Sequence, residues 1–263
     1  MSRAAAGVAG GAAVFGSITI LARLMGFARW GVFSAAVGST AAGSAYTAAN
    51  ALPNVLFEVA AGGALAAIAV PLLAAPLGAG RTGEASRTAS ALMTWALTVL
   101  IPLAAALALA AGPIARALMD GGVERSHPGS TALAATLIRL FALQVPLYGV
   151  GVVASGVLQA AKRLFWPAAA PLLSSVAVIG VYLVFWWAAG GEQDAPARLN
   201  AGAVQVLGWG TTLGVAALTL PLLAPVRRLG IKWRWTYRFQ PAERRRAARL
   251  AGSGIGSLLA QQL

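Results

Sequence analysis

An all-α polytopic membrane protein is the fold class that the sequence predicts, and three observations predict it. Of the 263 residues 59% are hydrophobic, the mean hydropathy is +0.75 and only 10% are charged, against about 25% in an ordinary soluble domain. Long, nearly charge-free runs recur, each reaching the ~20 residues that a spanning helix needs. Alanine, glycine and leucine dominate these runs, and small residues let helices approach closely in lipid.

The first span is predicted over about residues 10–37. Met-Ser-Arg and the Ala/Gly run behind it have the look of a short signal peptide, but the apolar run continues into ARLMGFAR without a cleavage site. Arg23 and Arg29 lie inside this span with Gly26 between them. Six helical residues leave the two side chains ~120° apart and ~9 Å along the axis, so they share a broad cavity but not a narrow face. After a Gly38-Ser39-Thr40 turn, span two covers about 44–75. Pro53 inside it removes the hydrogen bond to the carbonyl of Ala49. Asn50, Asn54 and Glu58, four apart, fall on one face, with Gly62 as the next member of the stripe.

A loop at about 77–88 with Arg81, Glu84 and Arg87 leads to span three, about 89–111. A polar loop with Asp120, Glu124, Arg125 and His127 precedes span four, about 131–160, which contains Arg139, Gln144 and Pro146. Lys162-Arg163 turns the chain into span five, about 164–189, with Pro167, Pro171 and a Trp186-Trp187 pair suited to a membrane interface. Span six covers about 199–225, and its Gly210-x-x-x-Gly214 presents a small-residue surface. These spans define a six-helix lobe over residues 1–225. In 226–249, Trp233, Trp235, Tyr237 and Phe239 alternate with Lys232, Arg234 and Arg238, which predicts a basic, aromatic loop lying along anionic headgroups. Residues 250–263 give ~21 Å of helix, short of the ~30 Å hydrocarbon core, and are expected to be the start of a truncated seventh span.

The charges set an orientation. Arg3, Arg81, Arg87, Lys162, Arg163 and the nine basic residues from Arg227 to Arg249 fall on one side, 14 of the 20 Lys and Arg. The opposite loops carry Asp120, Glu124, Glu192 and Asp194. The positive side is the cytoplasmic one, which places the N-terminus in the cytoplasm. The net charge of +13 therefore points to anionic membrane lipids as partners and not to nucleic acid.

Catalysis finds little support. The chain has no cysteine and one histidine, which excludes thiolate metal sites, disulfides and cysteine nucleophiles, and no cofactor motif is present. GSGIG at 252–256 has neither a preceding strand nor a following lysine, so it is no phosphate loop. The intramembrane polar set remains: Arg23, Arg29, Asn50, Asn54 and Glu58, candidates to line a polar cavity for an anionic lipid head. Arginine stays charged and grips phosphate oxygens bidentately, and charges at bilayer depth are costly enough to mark functional sites. Glu58 would repel an anion, so it either pairs with an arginine or takes up a proton.

S-x-x-x-x-ARLMGFAR, the Gly-Ser-Thr turn, ALPNVLFEVAAGGALAAIAVPLL and the later QAAKRLFWPAAAPLLSSVAVIGVYLVF together resemble the MurJ/MviN lipid II flippase family, in its high-GC Gram-positive form. The resemblance implies the multidrug/oligosaccharidyl-lipid/polysaccharide exporter fold, two six-helix lobes about a central cavity, of which this chain would be the first. It implies transfer of lipid II, the undecaprenyl-pyrophosphate-linked peptidoglycan precursor, across the cytoplasmic membrane by alternating access. Arg23 and Arg29 match the family's two first-helix cavity arginines, and Asn54 the asparagine after the proline. Phe57-Glu58 stands where many members carry an arginine pair, Ser44 and Trp30 replace frequent acids, and an eighth-helix arginine would lie beyond Leu263. Other readings are an exporter of another polyprenyl-linked saccharide or a drug, and a non-transporting scaffold that recruits cell-wall synthesis proteins through 226–249.

Overall fold

The computed structural model of the chain describes residues 3–58, 63–119 and 121–238. Gly62, residues 239–249 and the expected seventh-helix start at 250–263 lie outside the described residues.

The described chain is a succession of helices with no strand among them. Helix α1 runs Arg3–Ala36, α2 Ala41–Phe57, α3 Gly63–Gly78 and α4 Thr82–Leu109. Two short helices follow, α5 (Ala111–Leu118) and α6 (Gly121–Ser126). Then come α7 (Ser130–Phe141), α8 (Gln144–Ala160), α9 (Phe165–Ala189) and α10 (Ala201–Thr219), which passes through a 3-10 turn at Leu220–Leu222 into α11 (Leu223–Arg228). Four described stretches are long and apolar enough to cross a membrane: Thr82–Leu109, Ser130–Ala160, Phe165–Ala189 and Ala201–Arg228. Leu65–Gly78 is a shorter apolar helix. The protein is an all-α polytopic membrane protein.

Two predicted spans are subdivided, each beside a proline. In the span expected over 44–75, α2 carries Pro53 and α3 carries Pro71 and Pro76, and residues 59–62 between them lie outside the described residues. The span expected over 131–160 breaks at Ala142-Leu143. Pro146 has no N–H to give the carbonyl of Ala142, and a fresh helix starting at Gln144 puts it in the first turn, where that donor is not needed. The 3-10 turn between α10 and α11 likewise carries Pro221 near its start. Where the sequence predicts a polar loop before residue 130, α5 and α6 form; α5 buries Ala111 and Ala115 and carries Arg116 in its last turn.

Helix α1 packs on α9, α10 on α9, α2 and α5 on α7, and α3 and α4 on α8. The Gly210-x-x-x-Gly214 face is where α10 meets α9. A Cβ on Gly210 would lie 2.5 Å from Val181, and one on Gly214 would run into Val178. At one end the loops knit together. The amides of Ala41 and Ala42 donate to Asp194 Oδ1 (3.1 Å) and the Gln193 carbonyl (3.0 Å). His127 Nδ1 lies 3.0 Å from the Asp194 carbonyl, so this histidine is part of the loop framework.

At the other end the chain after α11 runs extended along α4. Ser86, Ser90, Thr94 and Thr98 recur every fourth residue and form one hydroxyl row. The amides of Lys232, Arg234 and Thr236 donate to Ser86 (3.2 Å), Ser90 (3.1 Å) and Thr94 (3.2 Å). Ser90 also donates to the Lys232 carbonyl at 3.3 Å, and Trp95 Nε1 reaches the Tyr237 carbonyl at 3.3 Å. An extended segment has no internal partners for its peptide groups, and the row supplies them.

Candidate functional site

Helix α1 touches the rest of the lobe along the face that carries Phe33, which packs on Tyr46 and Tyr182 with ring centroids 5.6 and 5.4 Å apart. Arg23, Leu24, Phe27, Arg29 and Trp30 of α1 are exposed. Arg23 lines a hollow of about 470 Å³ between α1 and the start of α9, together with Thr19, Gln159, Leu164, Pro167 and Pro171. Pro171 cannot donate to the carbonyl of Pro167, and Ser175 Oγ donates to the Pro171 carbonyl at 2.8 Å.

A second hollow of about 270 Å³ lies between α3, α8 and α9 and shares Gln159 and Pro167 with the first. Phe57 and Tyr148 face each other across it, ring centroids 5.5 Å apart. Tyr148 in turn donates to Gln144 Oε1 (3.3 Å), and Gln144 Nε2 donates to Thr212 Oγ1 (3.5 Å). Gln144 is completely buried, so its amide depends on these partners. Arg29, one helical turn before Phe33, lies on the side of α1 that faces Tyr46 and Tyr182. The two arginines thus serve different neighbourhoods, Arg23 beside Gln159 and Arg29 beside the tyrosines.

The α2 stripe is arranged differently from what its spacing promised. Asn50 is half-buried, while Asn54 and Glu58 are exposed. Asn54 Nδ2 donates to the Asn50 carbonyl at 3.0 Å and so belongs to its own helix. Neither Asn54 nor Glu58 lines either hollow. No ion pair joins Glu58 to Arg23 or Arg29; the ion pair among the described residues is Arg81–Glu84, at 2.7 Å. Arg23 and Arg29 therefore have no ion-pair partner among the described residues, and a guanidinium in that position can take oxygens brought from outside. No described group of His, Cys, Asp and Glu could hold a metal ion.

Sequence reasoning missed the α8 contribution. Gln144, Tyr148, Ser155 and Gln159 follow a 4-7-4 spacing that keeps them on one helical face. The spacing is visible in the sequence, but neutral polar residues in a span stand out less than charged ones.

Fold and site together define a class: a polytopic helical membrane protein whose first helix presents exposed arginines, Arg23 among them at the edge of a largely apolar hollow. Within that class the chain belongs to the MurJ family, since the family described as Lipid II flippase MurJ matches residues 33–263. The match takes in Asn50, Asn54 and Glu58 and begins after both arginines. The chain is 29% identical over 224 residues to the probable lipid II flippase MurJ of Rhizobium meliloti (strain 1021), covering 84% of this chain and 39% of that relative. It is 31% identical over 164 residues to the lipid II flippase MurJ of Burkholderia cenocepacia, covering 61% and 31%. To the probable lipid II flippase MurJ of Synechocystis sp. it is 28% identical over 233 residues, covering 88% and 41%. The chain thus spans between 31% and 41% of the length of these three relatives.

Proposed function

We propose that this chain forms the N-terminal six-helix lobe, residues 1–225, of a lipid II flippase, with 226–249 as a cytoplasmic interfacial loop and 250–263 opening a seventh helix. Membership of the MurJ family is the observation that carries this reading. Arg23 and Arg29 grip the diphosphate of the lipid-linked precursor, and Asn50 and Asn54 supply neutral donors and acceptors nearby. Glu58, unpaired in this state, accepts an arginine or a proton when the cavity changes shape. Alternating access needs two halves moving against each other, so the exposed face of α1 meets the second half of the transporter. The lobe does no covalent chemistry. Its N-terminus is cytoplasmic, anionic lipids sit against the basic loop, and cell-wall synthesis proteins are partners there.

The test replaces the native flippase by full-length protein carrying Arg23→Ala and Arg29→Ala. Lipid II is expected to accumulate on the inner leaflet, and normal precursor export by the double variant would sink the proposal. Reporter fusions in the 81–87 loop are expected to be cytoplasmic; an external signal there would invert the topology.

A further inference from the structure

Between the start of α4 and the extended segment lies a hollow of about 510 Å³, lined by Arg87, Lys232 and Arg234 with the hydroxyls of Ser86, Ser90 and Thr236. No carboxylate lines it among the described residues. Arg81, one turn away, has Glu84 as its counterion, while none of the three lining cations has an ion-pair partner among the described residues. The first turn of α4 carries Glu84, which is held by Arg81. Three like charges gathered in one concavity repel each other unless an anion joins them.

The backbone holds them there. The amides of Lys232 and Arg234 are tied to Ser86 and Ser90, so two of the three cations are carried on a segment anchored to the helix that bears the third. Such a cradle is preorganised and not assembled on binding. Its rim carries Trp235, 75% exposed, an amphipathic ring of the kind that settles at headgroup level. Above it α4 continues as an apolar span.

We propose that this hollow is a phosphate-binding site whose ligand is the headgroup of an anionic phospholipid. The cations and hydroxyls take the phosphate oxygens, Trp235 lies at the glycerol level, and the acyl chains follow the apolar side of α4. The site rests on the reading of 226–249 as a lipid-facing loop and gives it a defined pocket with Arg87, but it is separate from the α1 groove and does not depend on what the protein transports.

Full-length protein in detergent is titrated with phosphatidylglycerol and with phosphatidylcholine, and retained lipid is counted by native mass spectrometry. Phosphatidylglycerol is expected to be preferred. In Arg87→Ala/Lys232→Ala/Arg234→Ala its affinity is expected to fall about a hundredfold, roughly fivefold per cation. A control lacking the same charge at the opposite end, Arg116→Ala/Arg125→Ala/Arg198→Ala, is expected to bind as before. Arg87→Lys/Arg234→Lys, which keeps the charge, retains most of the preference, and Arg87→Glu alone abolishes it in a protein whose circular dichroism is unchanged. Equal losses in the triple variant and the control overturn the proposal. Displacement of the lipid by millimolar inorganic phosphate overturns the lipid as the source and makes the site one for free anion.

Discussion

Tyr46 and Tyr182 share a hydrogen bond of 2.9 Å between their hydroxyls across 136 residues of sequence. Thr211 donates to the same Tyr46 oxygen at 3.3 Å, and the Tyr46 ring meets Phe141 edge-on at 5.6 Å. One side chain of α2 thereby reaches α7, α9 and α10. Phenylalanine at 182 removes one hydroxyl contact and is expected to cost about 1 kcal/mol. Tyr46→Phe removes the shared oxygen and is expected to cost more. In the double variant the losses add to less than their sum, because both singles break the same bond. Thermal unfolding in detergent measures all three.

Gly156 admits no side chain. A Cβ there would stand 2.5 Å from Ala69 Cβ, so Gly156→Val forces α3 and α8 apart. The expected loss is about 1–3 kcal/mol. Gly180, also mid-helix, meets nothing within 4 Å, and Gly180→Ala is expected to be neutral or slightly stabilising. The pair of unfolding temperatures separates close packing from helix propensity.

The hydroxyl row of α4 can be read out by hydrogen exchange. Thr94→Val keeps the shape and removes the acceptor of the Thr236 amide. Losing a bond of about 1 kcal/mol speeds exchange roughly fivefold. The increase is expected at Thr236 and its neighbours, while the amides of α9 are unchanged.

Glu124 caps the start of α7. Its carboxylate accepts from the amides of Thr131 and Gly129, each at 2.8 Å. Those bonds, Thr131 first, hold its pKa below the usual carboxylate range. A carboxyl with a lowered folded-state pKa stabilises above its unfolded value and loses that contribution as pH falls through the folded value. The loop around 124–131 is therefore expected to loosen in acid, below the ordinary carboxylate pKa. Glu124→Gln is expected to abolish that acid step in the unfolding temperature. The effect is small, because the carboxylate stays in contact with water.

The helical class and the order of spans were legible because lipid leaves the backbone few options and the apolar runs are long. Helix breaks were less so. Pro146 lies inside a span predicted as continuous, and the break falls three residues before it, where the missing donor is felt, and not at the proline. The arginines of α1 were conspicuous as charges. Their separate surroundings depend on which residues of α8 and α9 arrive from far along the chain, as Gln159 does for Arg23 and Tyr182 on the side of Arg29. Glu58 shows the limit most plainly. A four-residue spacing put it in line with Asn50 and Asn54, yet the face they share borders neither hollow.

The row of hydroxyls on α4 behaves as a vernier. Four helical residues advance about 6.0 Å and two extended residues about 6.6 Å, so the scales slip by about 0.6 Å at each rung. Three backbone rungs hold, at Ser86, Ser90 and Thr94. By the fourth the slip is about 2 Å, too much for a hydrogen bond of ordinary length. There the pattern changes: the Arg238 amide turns back to Thr236 Oγ1 at 3.2 Å, and Thr98 meets the Tyr237 hydroxyl instead, at 3.0 Å. Lengthening the row with further serines would not extend the docked segment, because the two repeats fall out of step.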